Sequence, residues 1–368
     1  MSGPSGNTER RIARVTARAL DLIPERPTET AAGAMATTPL VLVDVVTDDG
    51  VTGHAYLRTY ASAALRPLAL LVGELGEGLR GTSAAPVDLE AALRGQLRLL
   101  GTQGLAGLAM AGLDMAAWDM LARAAQVPLA TLLGGRPRAI PAYASLRTMR
   151  PDAAAEEAAE LVADGFRAIK VKVGRTDLDA DLATIRAVRG AIGDTVALMI
   201  DYNQSLTVPE AIARIRVLDG EGLHWVEEPT DAEDVDGHAR IRAVAGTPVQ
   251  LGENWTGPSD VARCIAAGAS DYATFDVMKL GGVTGWLRAA AIAGTARVPV
   301  SSHSFGEVSA HLLAATPTAH WFEHLDHVGP ILAEPLPVRD GHVTAPSTPG
   351  NGLQWDEDRV EHELARSR

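Results

Sequence analysis

The pattern of apolar and polar positions divides the chain into a strand-rich start, a helical stretch and a long alternating region. Residues 12–60 contain β-rich runs, ARVTARALDLI, PLVLVDVVT and VTGHAYL, and the turn Asp48-Asp49-Gly50 separates the last two. Aspartate followed by glycine between such runs is typical of a β-hairpin. Residues 61–134 carry Ala and Leu at helical spacing and stop at Gly134-Gly135. Strands followed by helices predict a separate α+β unit over residues 1–135.

The pattern changes after Pro137, where short β-rich runs alternate with amphipathic helical stretches. The runs are AIPAYAS, RAIKVKV, VALMID, LHWVEE, PVQLGE, SDYATFD, VPVSSH and AHWFE. This alternation is typical of a parallel sheet, and eight such strands favour a closed barrel. The sequence therefore predicts an α/β fold with a barrel over residues 136–330. A tail rich in Pro and Gly, residues 331–368, is expected to return across the first unit.

Composition and charge narrow the class of protein. The chain is 46% hydrophobic and 21% charged, close to a soluble globular average, and no apolar run reaches the roughly 18 residues of a membrane span. A formal charge of −13 disfavours nucleic acid and anionic lipid as partners, because both bind basic surfaces. Residues 1–10 lack the apolar core of a secretory signal, so we expect a frayed terminus and a cytoplasmic protein. The single cysteine, Cys264, lies in a helical pattern and is expected to be a buried structural thiol.

Ionisable side chains end nearly every run of the alternating region, which is where a barrel places its active site. They are Lys170, Lys172, Asp201, Glu227, Glu253, Asp276, His303 and Glu323. From Lys172 onward the intervals are 20 to 29 residues, each about one strand plus one helix. A lone acid is most simply a solvated loop charge, but a whole ring of buried charges is costly unless its members pair or bind a metal. We therefore interpret the set as one site.

Three of these acids form a candidate metal site. Asp201, Glu227 and Glu253 end three successive strands and should be neighbours around the barrel mouth. Carboxylates without Cys or His form a hard oxygen site suited to Mg²⁺, with Mn²⁺ possible. Glu228 directly follows Glu227, so strand alternation predicts that it faces the opposite side in a supporting role.

Basic groups are expected on two sides of the metal site. Lys170 and Lys172 share one face of a strand, and crowding of two ammonium groups should depress a pKa and make one a general base. Asp276 and His303 end adjacent strands, so the carboxylate would fix the imidazole and provide a second acid/base on the opposite face. Removing a proton next to a carboxylate creates two negative oxygens. A divalent ion and a protonated carboxyl, the state expected for Glu323, would stabilise them.

The segments that carry these residues resemble the enolase superfamily, and closely its mandelate racemase group, over about residues 14–360. They are IKVKVG, IDYNQS, WVEEPT, LGENWTGP, DVMKLGGVTGW, VSSHSF and SAHLLAATPTAHWFEHLD. The resemblance implies a (β/α)7β modified TIM barrel and an N-terminal α+β capping domain. Loops of that domain would cover the mouth and select a small-molecule carboxylate substrate. A homo-oligomer, often an octamer, is also implied.

The resemblance also implies roles for individual residues. Mg²⁺ would be held by Asp201, Glu227 and Glu253. The two bases would be Lys172 and the His303–Asp276 pair, with Glu323 as electrophilic acid. Lys170 would contact the substrate carboxylate and Asn203 a substrate hydroxyl, with Ser145 close by.

The capping-domain loops depart from mandelate racemase, whose pocket is lined by apolar side chains. Here Thr28 lies on the first loop and Arg58 on the second, with Tyr60 retained. Arg58 either forms a surface salt bridge or contacts a polar or second anionic group of the substrate. A substrate more polar than mandelate is therefore expected.

Three functions follow from this constellation. The leading hypothesis is racemisation or epimerisation of an α-hydroxy acid, because bases on both faces let a proton leave one side and return on the other. The alternative is an acid-sugar dehydratase, a hydro-lyase in which one base takes the α-proton and His303 protonates the departing hydroxyl. A non-catalytic barrel that binds a ligand or acts as a scaffold would have lost ligands or bases, and the sequence retains all of them.

Overall fold

The computed structural model describes residues 9–366 except 25 and 32. The frayed terminus expected for residues 1–10 therefore lies almost wholly outside the described residues. The architecture is α/β, with a capping unit at the N-terminus and a barrel after it.

A three-stranded antiparallel sheet in the order β1-β4-β5 forms the centre of the capping unit. A small separate hairpin, β2–β3, stands beside it. The strands are β1 (Ile12–Leu22), β2 (Thr28–Thr30), β3 (Gly33–Met35), β4 (Thr38–Thr47) and β5 (Thr52–Arg58). The helices are α1 (Leu65–Leu79), α2 (Pro86–Gln96), α3 (Gly104–Ala124) and α4 (Leu129–Leu132).

The predicted turn between β4 and β5 is present, with Gly50 at a φ of +85° that favours glycine. Gly53 on β5 has a packing role, since a Cβ there would lie 1.9 Å from the Ala116 carbonyl oxygen of α3. Close approach of α3 to the sheet buries its apolar length. By length and composition α3 could span a membrane, but 72% of its most apolar window is buried inside the structure. It is the core helix of the capping unit.

Eight parallel strands make the barrel, in the order β6 to β12 with β13 pairing back onto β6. Val300 of β12 bridges Ala319, just ahead of β13, and so closes the ring. The strands are β6 (Ala139–Ser145), β7 (Ala168–Lys172), β8 (Ala197–Asp201), β9 (Val226–Glu227), β10 (Val249–Leu251), β11 (Tyr272–Asp276), β12 (Val300–His303) and β13 (Phe322–His324).

Helices follow the first seven of these strands and cover the outside of the barrel. They are α5 (Pro151–Ala163), α6 (Leu178–Ile192), α7 (Val208–Leu218), α8 (Val235–Arg242), α9 (Pro258–Ala266), α10 (Gly282–Ala296) and α11 (Gly306–Ala315). Start signals in the sequence explain several of them: α7, for example, begins with a capping box formed by Thr207 and Glu210. Cys264 of α9 is buried and free, as the sequence predicted.

The C-terminal segment contacts both units. It contains β14 (Val338–Arg339), β15 (His342–Thr344) and α12 (Glu357–Arg366). β15 pairs antiparallel with β6 of the barrel. Further on, Trp355 donates through its indole Nε1 to Asp44 of β4 over 2.9 Å, and Arg18 of β1 pairs with Glu357.

Two buried aspartates of α3 join the capping unit to the rest of the chain. Asp114 accepts a hydrogen bond of 3.0 Å from the backbone N–H of Thr284, and so caps α10, whose own N-cap residue has no side chain to do so. Asp119 accepts from the backbone N–H of His54 at 2.8 Å and of Asn351 at 2.6 Å. The helix α3 therefore provides acceptors for backbone N–H groups in three parts of the fold: α10, β5 and the C-terminal segment.

Asp114 should make stability depend on pH. Burial, which outweighs the hydrogen bonds from Thr284, raises the pKa of Asp114 from 3.8 to about 7. The folded chain then holds this proton more tightly than the unfolded chain, so the stability from this group is complete below about pH 4 and is lost as the pH rises to about 7.

We expect the Asp114→Asn variant, which can still accept from Thr284, to lack this dependence. Between about pH 5 and pH 8 the unfolding free energy of the wild type should fall relative to the variant by about 2 to 4 kcal/mol. Urea denaturation of both proteins across this range measures the difference, in which other titrating groups cancel. A constant difference would contradict the role of Asp114.

Candidate active site

The three predicted metal ligands converge at the carboxyl ends of the central barrel strands. Asp201 and Glu227 are the last residues of β8 and β9, and Glu253 lies two residues after β10. One carboxylate oxygen from each lies within 4.8 Å of the others. Three hard oxygen donors at this spacing fit a divalent cation such as Mg²⁺.

Neighbouring side chains hold these carboxylates in place. The Oε2 atom of Glu227 accepts from Trp225 Nε1 at 3.0 Å and from Gln250 Nε2 at 2.9 Å. Asn203 donates to Asp201 from its backbone N–H at 2.7 Å and from its side-chain Nδ2 at 2.9 Å. The Oδ1 atom of Asn203 is buried and accepts no hydrogen bond within the described part of the chain. It is available to accept one from a ligand hydroxyl.

Lys170 stands at the centre of the acidic cluster. Its Nζ lies 2.6 Å from Glu227, 3.0 Å from Glu323 and 3.6 Å from Asp201. Burial alone would lower the pKa of Lys170, but these carboxylates outweigh burial and raise it well above its usual value. Lys170 is therefore not the lysine whose pKa crowding was expected to depress, because the surrounding carboxylates outnumber the one neighbouring lysine.

Lys172 has a different environment on the same strand. Its side chain is 7% exposed, and among residues 9–366, 25 and 32 aside, no hydrogen bond or salt bridge holds its ammonium group. Burial raises the pKa of Asp201, and the positive charge of Lys172 opposes that rise and adds to the lowering of the Glu323 pKa by Lys170 and His303, which places Lys172 beside the cluster. Of the two lysines of β7, Lys172 is therefore the one whose ammonium group is left open to a ligand.

His303 faces the cluster from β12, with Asp276 of β11 as its partner. The two residues are aligned in the parallel register of these strands, and His303 Nδ1 donates to Asp276 Oδ2 over 2.8 Å. The other ring nitrogen, Nε2, points inward and lies 3.4 Å from Glu253. Burial alone would lower the pKa of His303, but Glu253, Glu323 and Asp276 raise it.

Glu323 at the end of the ring is bound on both oxygens. Ser145 donates its hydroxyl to Oε1 over 2.6 Å, and the Ser304 backbone N–H donates to Oε2 over 3.0 Å. Burial alone would raise the pKa of Glu323, but Lys170 and His303 lower it well below the usual value. The expectation of a protonated Glu323 is thus not met in this arrangement, since Lys170 at 3.0 Å favours the carboxylate.

Glu228 does not turn away from the site as strand alternation predicted. Its backbone has a φ of +36°, so β9 has ended and the alternation rule no longer applies. Asn254 donates to its carboxylate over 2.6 Å. Burial, followed by the charges of Glu253 and Asp201, raises the pKa of Glu228 well above its usual value. Glu228 therefore belongs to the buried acidic cluster.

The β2–β3 hairpin forms a lid that is fastened to the loop after β6. Glu29 accepts from the backbone N–H of Met149 at 2.8 Å and from the Thr148 hydroxyl at 3.1 Å. The hydrogen bond from Met149 lowers the pKa of Glu29. Thr28 is buried and accepts from Arg147 at 3.2 Å, so its hydroxyl contacts that loop.

Arg58 and Tyr60 lie beside the Asp276–His303 pair. The Tyr60 hydroxyl donates to Asp276 Oδ2 over 3.4 Å, and the Arg58 guanidinium sits 4.5 Å above the Tyr60 ring. Arg58 is only 4% exposed, which rules out the alternative of a surface salt bridge.

Two further residues of this region escaped sequence reasoning. His327, three residues after β13, has its Nε2 3.3 Å from Arg58 Nη1 and 3.3 Å from the Ser304 hydroxyl. Lys279 donates to Asn254 and lies 5.0 Å from the Tyr60 ring centre. Both lie three residues after a strand end, so the pattern of ionisable residues at the strand ends does not reveal them.

Two family models together cover most of the chain. Residues 13–134 match the model described as "Mandelate racemase / muconate lactonizing enzyme, N-terminal domain". Residues 153–359 match the model described as "Enolase C-terminal domain-like".

Individual proteins are similar over nearly the full length. A 3,6-anhydro-alpha-L-galactonate cycloisomerase of Streptomyces coelicolor is 34% identical over 92% of this chain and 95% of its own. The crystal structure of an enolase from Bradyrhizobium, complexed with magnesium and mandelic acid, is 48% identical with a TM-score of 0.92, covering 97% of this chain and 99% of that one. An L-talarate dehydratase from Polaromonas, complexed with Mg and L-glucarate, is 30% identical with a TM-score of 0.90, covering 96% and 97%.

Replacing one acid of the triad should remove metal binding without unfolding the barrel. We expect Glu253→Gln to weaken Mg²⁺ or Mn²⁺ binding by at least about 100-fold, since even supporting residues around metal sites are worth 10- to 100-fold. Mn²⁺ titration followed by electron paramagnetic resonance measures this loss. Glu233→Gln, which neutralises an exposed acid on the β9–α8 loop, should leave the affinity unchanged. Equal affinity of Glu253→Gln and the wild type would remove Glu253 from the site.

Proposed function

The chain belongs to the mandelate racemase/muconate lactonizing enzyme family of the enolase superfamily, an enzyme family of Mg²⁺-dependent enolate chemistry, and from that premise we propose that it racemises or epimerises an α-hydroxy acid. A proton would leave the carbon next to the carboxylate on one face and return on the other. Bound Mg²⁺ supplies positive charge that stabilises the developing enolate oxygens.

The observation that carries this proposal is the placement of Lys172 and His303. They reach the same acidic cluster from β7 and β12, with the metal ligands on the strands between them. The Lys172 ammonium has no partner among the described residues, and because Asp276 binds the other ring nitrogen of His303, its Nε2 faces the cluster, 3.4 Å from Glu253. Two such groups on two sides of one carbon suit removal of the proton from either enantiomer.

The remaining residues would bind and orient the substrate. Lys170 would direct its charge to the substrate carboxylate, and Asn203 Oδ1 would accept from the α-hydroxyl. Ser145 and the Ser304 N–H hold Glu323 where it faces Lys170. Glu323 would act on an enolate oxygen only after taking up a proton, which requires that substrate draw Lys170 away from it.

Dehydration of an acid sugar is the second candidate. The same base would take the α-proton, and His303 would give a proton to the departing hydroxyl. Polar side chains lie close to His303, namely Arg58, His327 and Ser304. They favour a substrate that carries further polar groups beyond the reacting carbon. The relatives named above include a dehydratase and a cycloisomerase as well as a protein crystallised with mandelic acid.

Solvent isotope exchange distinguishes the two reactions. In D₂O with Mg²⁺ and a panel of α-hydroxy and sugar acids, a racemase incorporates deuterium into an unchanged carbon skeleton. A dehydratase instead gives a 2-keto product. Nuclear magnetic resonance of the α-carbon position records both outcomes, and neither reaction with any acid of the panel would contradict the proposal.

Single-base variants test whether the two faces act independently. We expect His303→Asn to reduce turnover of one enantiomer by about 10²- to 10⁴-fold, the usual worth of a general acid or base, while exchange on the other enantiomer continues. Lys172→Met should give the mirror result. Chiral analysis of the deuterated product measures each face. Loss of exchange on both enantiomers in each variant would argue for a single acid/base unit.

A further inference from the structure

We propose that Arg58 and His327 form a subsite for a second, distal carboxylate, so that the substrate is an α-hydroxy dicarboxylic acid. The inference rests on the proposed function for the reacting end of the substrate and adds the chemistry of its far end.

Arg58 is a buried cation without an acid. Its side chain is 4% exposed, yet no carboxylate lies within 4.0 Å of its guanidinium among the described residues, whereas most other buried charges of the barrel mouth are paired. An unpaired buried charge is strongly unfavourable. Because the Arg58 guanidinium is buried without an acid, it is suited to bind an anionic group of a ligand.

The donors of Arg58 meet only weak or neutral acceptors. Nη2 lies 3.4 Å from the Met35 sulfur on the lid, and Nη1 lies 3.3 Å from His327 Nε2. Nε is buried and makes no hydrogen bond within the described part of the chain. The Tyr60 ring beneath the guanidinium attracts it by a cation–π interaction, but does not neutralise its charge.

His327 connects Arg58 to the reacting centre. Its Nε2 is 3.3 Å from the Ser304 hydroxyl, which in turn lies 3.4 Å from His303 Nε2. Burial, followed by the charges of Arg58 and His303, lowers the pKa of His327 well below its usual value. The imidazole is thus neutral, and the subsite holds one positive charge beside His303.

A single carboxylate matches this subsite better than the other polar groups of a substrate. Hydroxyl groups would leave the guanidinium charge uncompensated, whereas a carboxylate accepts from its planar fork and cancels one charge. The nearby Arg147 directs its donors away from this point, to Thr28 and to the Asp326 carbonyl, so Arg58 supplies the guanidinium that borders His327. A doubly charged phosphate would therefore remain partly uncompensated.

The test compares each α-hydroxy diacid of graded chain length with its distal primary amide, which keeps the shape and removes one charge. Wild-type enzyme with Mg²⁺ should prefer the diacid by about 30- to 1,000-fold in kcat/KM, as expected for a buried charge pair that loses one partner. In Arg58→Met this preference should fall to within about threefold, and Arg58→Lys should retain part of it. Arg66→Met, which removes an exposed positive charge from α1, should behave as the wild type.

Two further readouts separate the subsite from a structural role and from the reaction itself. The ligand-free Arg58→Met protein should melt at the same temperature as the wild type or higher, because an unpaired buried charge is gone. Calorimetry on the inactive Lys172→Met/His303→Asn protein should still show tighter binding of the diacid than of the amide. That binding preference without any isotope exchange in the wild type would support the subsite and overturn the proposed reaction. Exchange with no preference for diacids, or a lower melting temperature of Arg58→Met with the preference retained, would overturn the subsite.

Discussion

Mutual repulsion of buried carboxylates is the constraint on which the rest of this site depends. More acidic than basic side chains are enclosed at the barrel mouth: the acids are Asp201, Glu227, Glu228, Glu253, Asp276 and Glu323, and the bases are Lys170, Lys172, Lys279 and His303. Lys170 offsets part of the repulsion by contacting three of the acids at once. The negative charge that the basic groups do not balance favours binding of a divalent cation. Any group that draws Lys170 away from these acids changes their protonation.

The surrounding scaffold shields these acids from water and holds each of them in a fixed position. The short parallel strands place one or two functional residues each at or near their carboxyl ends. Trp225 and Gln250 donate hydrogen bonds to Glu227, and Asn203 donates to Asp201. The lid also reaches this region, since Met35 lies 3.4 Å from Arg58 and Glu29 is bound to the loop that follows Ser145. The segment between β6 and α5 therefore connects the lid to Ser145, which holds Glu323.

Sequence reasoning located the strand-end residues because their recurrence reflects a local repeat. One strand plus one helix separates Asp201, Glu227 and Glu253, so the phase alone predicts that they meet. Properties that depend on distances between strands could not be read in this way. The high pKa of Lys170 arises from acids on three other strands, and the position of Glu228 arises from a positive φ that no alternation pattern encodes. Likewise, the contact of Arg58 with His327 joins residues 269 positions apart.

The hydrogen bonds of α3 also bear on how such enzymes can diversify. Because Asp114 of the capping unit completes the first turn of a barrel helix, and Asp119 binds both β5 and the C-terminal segment, neither unit is self-sufficient. A chimera that joined this barrel to the cap of a relative would leave backbone N–H groups of α10 and of Asn351 unpaired unless matching acids came with it. Exchange of whole domains between relatives therefore succeeds only when these acids and the N–H groups that they bind are exchanged together.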